Sequence, residues 1–176
     1  MTDGSFNKRR IELVAIGTVR SPFTEQSGTP IQTTYAADVE GLVVVDEAFA
    51  AALTDIDDFD RIWLIYALDR AKLFAPLVTP YRDTQPRGLF ATRSPCRPNP
   101  IGMSPVQLID RKENVLRVRG IDVLDGTPLL DIKPYVPEFD AYPNIAAGWF
   151  DQCDDTARTT ADDRFHNTAK DETEQK

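Results

Sequence analysis

The chain has 176 residues, 41% of them hydrophobic, with two cysteines, one histidine and a formal net charge of −8. This composition describes one globular domain with a tail and excludes a disordered chain. It also argues against a structural zinc site, because neither Cys96 nor Cys153 lies in a CxxC. The longest apolar run, residues 62–68, is too short for a membrane helix, and the first ten residues hold no secretory apolar core.

In chain order, residues 11–19 are rich in β-branched side chains and alternate loosely, which predicts a strand ended by Arg20-Ser21-Pro22. Residues 23–38 carry Gly28, Pro30 and several Ser and Thr with no helical period, and read as a loop. A buried strand follows at 41–45, a short alanine-rich helix at 47–53 and a strand at 62–68. Pro76 limits 73–79 to an edge strand. Residues 103–110 alternate. Residues 114–121 alternate more clearly, with Val115, Arg117 and Arg119 on one face and Leu116, Val118 and Gly120 on the other. Asp125-Gly126 predicts a hairpin turn with 129–133 as the returning strand. A short helix is predicted over 144–152, and the polar residues after 154 read as frayed. Six or seven short strands with no βαβ rhythm predict a mostly-β fold, a small closed or nearly closed barrel with short helices. The expected division is an extension over 1–10, a barrel domain over 11–150 and an acidic tail over 151–176.

Charge is unevenly spread. Residues 38–60 hold eight acids and no bases, whereas 82–119 hold eight bases against three acids. The chain as a whole is too acidic for a simple nucleic-acid binder, but the basic window offers a local phosphate-binding face. Two cysteines without export signals place the chain in a reducing cytosol.

Several cofactor and nucleophile motifs are missing: there is no GxGxxG after a strand, no Walker A and no GxSxG elbow. Two stretches stand out instead. Phe90-Ala91-Thr92-Arg93-Ser94-Pro95-Cys96-Arg97-Pro98-Asn99-Pro100-Ile101-Gly102 contains three prolines, each fixing its own φ and biasing the residue before it toward extended backbone. The loop is stiff, with Arg93, Arg97 and Asn99 available either to a ligand or to acids elsewhere in the fold. Cys96 reads as a small filler. The tripeptide Arg-Ser-Pro occurs at 20–22 and again at 93–95, which could place two strand ends at one site. The second stretch, residues 120–135, sets Asp122, Asp125 and Asp131 among apolar residues. Asp125 suits the turn, while Asp122 and Asp131 each require a partner.

The run FATRSPCRPNPIGMS, then LDGTPLLDIKPYVPEFD, with IGTVRSPF near the start, closely resembles the TsaA-like family. These are S-adenosylmethionine-dependent tRNA methyltransferases acting on the exocyclic amine of N6-threonylcarbamoyladenosine beside the anticodon. The resemblance extends over about residues 11–140 and implies a β-barrel homodimer in the cytoplasm with S-adenosylmethionine near the subunit interface, tRNA as partner, and neither metal nor membrane. It places the cofactor against Pro30, Ile31 and Gln32, where many relatives have arginine at the middle position, and against Asp69 and Arg70, where many have histidine for Asp69. It further implicates Arg93, Met103 and the segment Ile121, Asp122, Val123 and Leu124. The cofactor needs an acceptor for its amino group, a donor for its carboxylate and a dry wall for adenine, roles that suit Asp122, Arg93, and Ile121 with Leu124. Asp122 and Asp131 are both candidate catalytic carboxylates. Arg97, Asn99, Lys133 and Tyr135 are candidates for RNA or subunit contact, and Tyr35, Phe90, Tyr135 and Tyr142 for base stacking. Two alternatives are a methyltransferase of the same fold for a small molecule, and a non-catalytic module that binds S-adenosylmethionine.

Overall fold

The computed structural model describes residues 10–153 and 158–165. Its strands are β1 (Gly17–Arg20), β2 (Glu40–Val45), β3 (Arg61–Ala67), β4 (Leu77–Val78), β5 (Arg87–Gly88), β6 (Ile101–Lys112), β7 (Val115–Arg119) and β8 (Pro128–Pro134). Six of them close into a barrel in the order β1-β2-β7-β6-β3-β8, every neighbouring pair antiparallel. β4 and β5 form a separate two-stranded pair.

Alternation in the sequence decides which side chains fill the barrel. Along β3, Ile62, Leu64 and Tyr66 point inward, and along β6 Ser104, Val106 and Leu108 do so. Leu116 and Val118 of β7, Leu129 of β8, and Val19, Val43 and Val45 complete the packing. Each fully buried aliphatic side chain contributes roughly 1.5–3 kcal/mol. The barrel interior is therefore a packed core, and any binding site must lie on its outside or at its ends. A second cluster of Val78, Leu89, Cys96 and Phe165 sits under the proline-rich loop. Cys96 fills space there, and burial pushes its thiol pKa up.

Four expectations need correction. The strand expected over 11–19 reduces to β1, and Ile11, Leu13 and Val14 are exposed, because no neighbouring strand pairs with them. Asp125-Gly126 turns the chain, with Gly126 at φ 78°, but β8 does not return beside β7; it pairs with β1 and β3. The turn is tied to the end of β1 instead. Gly126 N–H donates to the Val19 carbonyl at 2.9 Å, Ser21 N–H donates to the Asp125 carboxylate at 3.2 Å, and Arg20 pairs with that carboxylate at 3.5 Å. Barrel closure thus overrides the local hairpin signal. The expected helices over 47–53 and 144–152 form as 3-10 turns, Glu47–Leu53 and Gly148–Gln152. Finally, 158–165 is not frayed: Ala161 and Phe165 are buried, and Thr160 bridges to Pro30. Residues 1–9 of the expected extension, and 154–157 and 166–176 of the expected tail, including His166, lie outside the described residues.

Candidate active site

Three loops and one strand end converge outside the barrel around a cleft of about 330 Å³. Pro30, Ile31 and Gln32 form one wall, Asp69 and Arg70 the second, and Arg93, Pro95 and Arg97 the third. The fourth is the barrel itself, through Met103 and Ser104 of β6 and the crossover residues Asp122, Val123 and Leu124.

The centre of the cleft is built on strand register. Tyr66 of β3 stands opposite Gly102 of β6, and its ring occupies the place of the missing side chain: a Cβ on Gly102 would lie 2.2 Å from the ring. The Tyr66 ring crosses Gly102 and brings its hydroxyl 2.9 Å from Ser104 Oγ. Ser104 Oγ donates to Asp122 Oδ1 at 2.7 Å. Ser104 has one proton to give, so the Tyr66 hydroxyl donates to Ser104 and the chain of bonds runs Tyr66 to Ser104 to Asp122. Tyr66 and Ser104 are buried, while Asp122 is half-buried at the cleft.

Burial raises the Asp122 pKa to about 6, partly offset by the Ser104 hydrogen bond and the Arg93 charge. Tyr66 is pushed well above the usual phenol range, first by burial and then by the Asp122 charge. A hydrogen-bonded carboxylate poised just below neutral pH in a cleft is suited to accept a proton.

The flanking walls are fixed by local bonds. Arg93 Nη1 donates to Gln32 Oε1, joining the proline-rich loop to the 30–32 wall, and Arg93 otherwise remains exposed. Arg97 Nη1 donates to the Thr92 carbonyl at 3.0 Å, and its guanidinium lies over the Phe90 ring. It lines the cleft while bracing its own loop. Arg70 donates to the Asp125 carbonyl. The first Arg-Ser-Pro repeat does not line the cleft, but Ser21 Oγ donates to the Val123 carbonyl and supports the crossover from behind.

Ten of the eleven residues expected at the cofactor meet here: Pro30, Ile31, Gln32, Asp69, Arg70, Arg93, Met103, Asp122, Val123 and Leu124. Ile121 does not. It is fully buried in the barrel core, while its neighbour Asp122 takes the cleft side. Of the two candidate carboxylates, only Asp122 lies in the cleft. Asp131 is on β8, bonded to Lys133 at 2.8 Å, so these two residues serve each other. Tyr135 packs against Trp63, with ring centroids 5.6 Å apart. Asn99 is exposed and outside the cleft. Sequence reading missed Tyr66, Ser104 and Phe165. Tyr66 was hidden in an apolar strand, and only its spacing from the inward-facing Ile62 and Leu64 marks it as a polar tip at the barrel end.

The basic window does not form one face. Arg111 pairs with Asp57 at 2.8 Å, Arg119 with Glu40 at 2.7 Å, and Arg117 with Glu40 at 3.4 Å and with Asp110. The acids of 38–60 and the bases of 111–119 thus share the outer surface of β2, β7 and β6. The positive charge of the cleft comes from Arg70, Arg93 and Arg97. Among the described residues, no helix is long and apolar enough to cross a membrane.

Comparison with known proteins adds an independent line. The family model for the tRNA-methyltransferase O N-terminal domain matches residues 18–141. A probable S-adenosyl-L-methionine-binding protein of Pyrococcus abyssi is 53% identical over 137 residues, covering 78% of this chain and 74% of that one. The tRNA (adenine(37)-N6)-methyltransferase of Escherichia coli is 34% identical over 144 residues, covering 76% and 61%. The crystal structure of TrmO from Pseudomonas aeruginosa superposes with a TM-score of 0.67 at 35% identity, covering 80% of this chain and 62% of that one. The chain therefore spans about three-fifths of the length of these last two proteins.

Proposed function

Because the chain belongs to the tRNA-methyltransferase O N-terminal domain family, we propose that it methylates the exocyclic amine of N6-threonylcarbamoyladenosine beside a tRNA anticodon, with S-adenosylmethionine as donor. The observation that carries this reading is the seating of Asp122, held by Ser104, in a cleft walled by Arg93, Gln32 and Leu124. The donor set suits the cofactor. Arg93 and Arg70 are the cations for a carboxylate, and Ile31, Val123 and Leu124 are the apolar wall for adenine.

When bound, S-adenosylmethionine supplies an electrophilic methyl group. The residues of the chain then have three tasks. The walls of the cleft fix orientation, which in an in-line displacement supplies much of the acceleration. The acceptor nitrogen is conjugated and weakly nucleophilic, so Asp122 orients it and takes its proton. Ser104, itself held by the Tyr66 hydroxyl, donates to Asp122 Oδ1 and leaves the remaining acceptor capacity of the carboxylate for the amine. With a pKa of about 6, Asp122 is mostly ionised at neutral pH and still more basic than an ordinary aspartate.

The same reading includes a cytosolic homodimer. Its support is the apolar rim of the cleft, where Ile101 and Met103 are 42% and 55% exposed. Light scattering of the purified chain tests it: a monomeric mass at working concentration removes the dimer from the proposal. One observation favours a second reading. The net charge is −8 and much of the basic window is paired with acids, which suits a small-molecule acceptor on the same fold. The decisive experiment incubates the protein with labelled S-adenosylmethionine and tRNA that carries or lacks the threonylcarbamoyl group. Label in the modified nucleoside is the expected result. Cofactor binding without tRNA binding selects the small-molecule reading. Binding of both without methyl transfer selects a non-catalytic module.

A further inference from the structure

Residues 158–165 lie beyond the stretch matched by the family model, yet they touch most of the cleft. Residues 159–161 run antiparallel to the first wall. Ile31 N–H donates to the Thr159 carbonyl at 3.0 Å, Ala161 N–H to the Thr29 carbonyl at 2.7 Å, and Gly28 N–H to the Ala161 carbonyl at 3.0 Å. Thr29 and Ala161 are buried by this pairing. The second wall is tied next: Lys72 N–H, just beyond Asp69 and Arg70, donates to the Phe165 carbonyl at 3.0 Å. The third wall rests on the Phe165 ring, which is 7% exposed and packs with Cys96 and Leu89 under the proline-rich loop. Tyr81 meets Phe165 edge-on at 5.0 Å, and its hydroxyl donates to the Asp162 carbonyl at 3.1 Å. Arg164 pairs with Asp162 at 2.8 Å and lies over the Tyr81 ring.

The three loop-borne walls therefore share one support, whereas the fourth is held by the barrel. Phe165 itself also lines the cleft. We propose that residues 159–165 are a strap that positions the loop walls of the S-adenosylmethionine cleft, with Phe165 and the Ala161 amide as its positioning groups. The proposal rests on the reading of the cleft as the cofactor site. Ordering three loops before the ligand arrives removes that cost from binding, so strap and cofactor affinity are coupled. The barrel core shares no residue with the cluster around Phe165, so loss of the strap leaves the barrel folded.

The test uses the full chain carrying Phe165→Ala, Phe165→Leu or Ala161→Pro. Calorimetric titration with S-adenosylmethionine is expected to give at least a tenfold weaker Kd for Phe165→Ala and Ala161→Pro, with Phe165→Leu recovering most of the affinity. In turnover, KM for the cofactor rises while kcat at saturation is retained. Limited trypsin digestion, read without cofactor, is expected to cut faster after Arg70 and Arg93 in the two weak variants. Circular dichroism should report an intact barrel in all three. Wild-type affinity and wild-type cleavage in Phe165→Ala and Ala161→Pro would overturn the strap, as would global unfolding of both. If the wild-type chain itself fails to bind S-adenosylmethionine, the cofactor reading falls, and the trypsin pattern still decides whether the segment orders the loops.

Discussion

Replacing Ser104 with alanine removes one hydroxyl and alters the acidity of a different residue. In the native chain, Ser104 donates to Asp122 Oδ1 at 2.7 Å, and this bond opposes the burial that raises the Asp122 pKa to about 6. A hydrogen bond to a charged group is worth about 1.5–3 kcal/mol, and 1.36 kcal/mol is one pKa unit. With partial replacement by water, the pKa should rise by roughly one unit, to about 7. The active form is the ionised one, so activity is lost as pH falls through the pKa. The acidic limb of the pH–rate profile for methyl transfer should then move from about pH 6 to about pH 7. Activity at pH 6 falls about fivefold, and activity at pH 8.5 changes little. Ser104→Ala also leaves the Tyr66 hydroxyl buried without its partner, which costs about 1–3 kcal/mol of stability. Tyr66→Phe combined with Ser104→Ala should recover part of that loss without restoring the pH profile. An acidic limb that stays at pH 6 in Ser104→Ala would refute the assignment of Asp122 as the titrating base.

Arg93→Ala should weaken S-adenosylmethionine binding by about tenfold or more while leaving the thermal transition within a few degrees, because the side chain is exposed and bonded to Gln32 at the surface of the cleft; equal loss of fold and affinity in calorimetry would assign it a structural role. Gly102→Ala should destabilise the barrel by about 1–3 kcal/mol and abolish transfer, since its Cβ would force the Tyr66 ring out of register with Ser104; a wild-type denaturation midpoint would count against the described packing. Asp122→Asn should abolish transfer and stabilise the fold at pH 8. The folded pKa of Asp122 is above its unfolded value, so its contribution to stability is full below about pH 4 and declines as pH rises through about 6. Asparagine escapes that decline, at most about 3 kcal/mol, and urea melts at pH 4.5 and 8 should show the difference between variant and wild type growing with pH.

The barrel was legible because its strands alternate: Leu116 and Val118 inward with Arg117 and Arg119 outward is a pattern that only a half-buried strand satisfies. What was not legible was pairing. Asp125-Gly126 carries a strong local turn signal, but its bonds to Val19 and Ser21 come from residues about a hundred positions away. The tail failed for a related reason. Ala161 and Phe165 are two apolar residues in a polar segment, too few for a periodic signal, and their burial depends on a surface assembled from residues 28–31 and 75–96. In the site, ten of the residues that motif likeness led us to expect at a cofactor line one cleft, yet the motifs could not separate Asp122 from Asp131. That choice needed the register of β3 against β6, which puts Ser104 and Tyr66 beneath one carboxylate and leaves the other beside Lys133.

The ion pairs on the outer surface of β2, β7 and β6 bear on how an RNA would be held. Arg111, Arg117 and Arg119 already face carboxylates. A phosphate arriving there would have to displace Asp57, Glu40 or Asp110 and would release few condensed counterions in return. The logarithm of affinity falls with the logarithm of salt in proportion to the phosphates neutralised. An RNA bound through the cleft arginines would show a slope of at most about 2 to 3, and less with Arg70 and Arg93 facing the cofactor carboxylate. Affinity for an anticodon arm would then come chiefly from stacking and from the chemistry of the modified base, and would persist at salt concentrations that dissociate a polycationic binder.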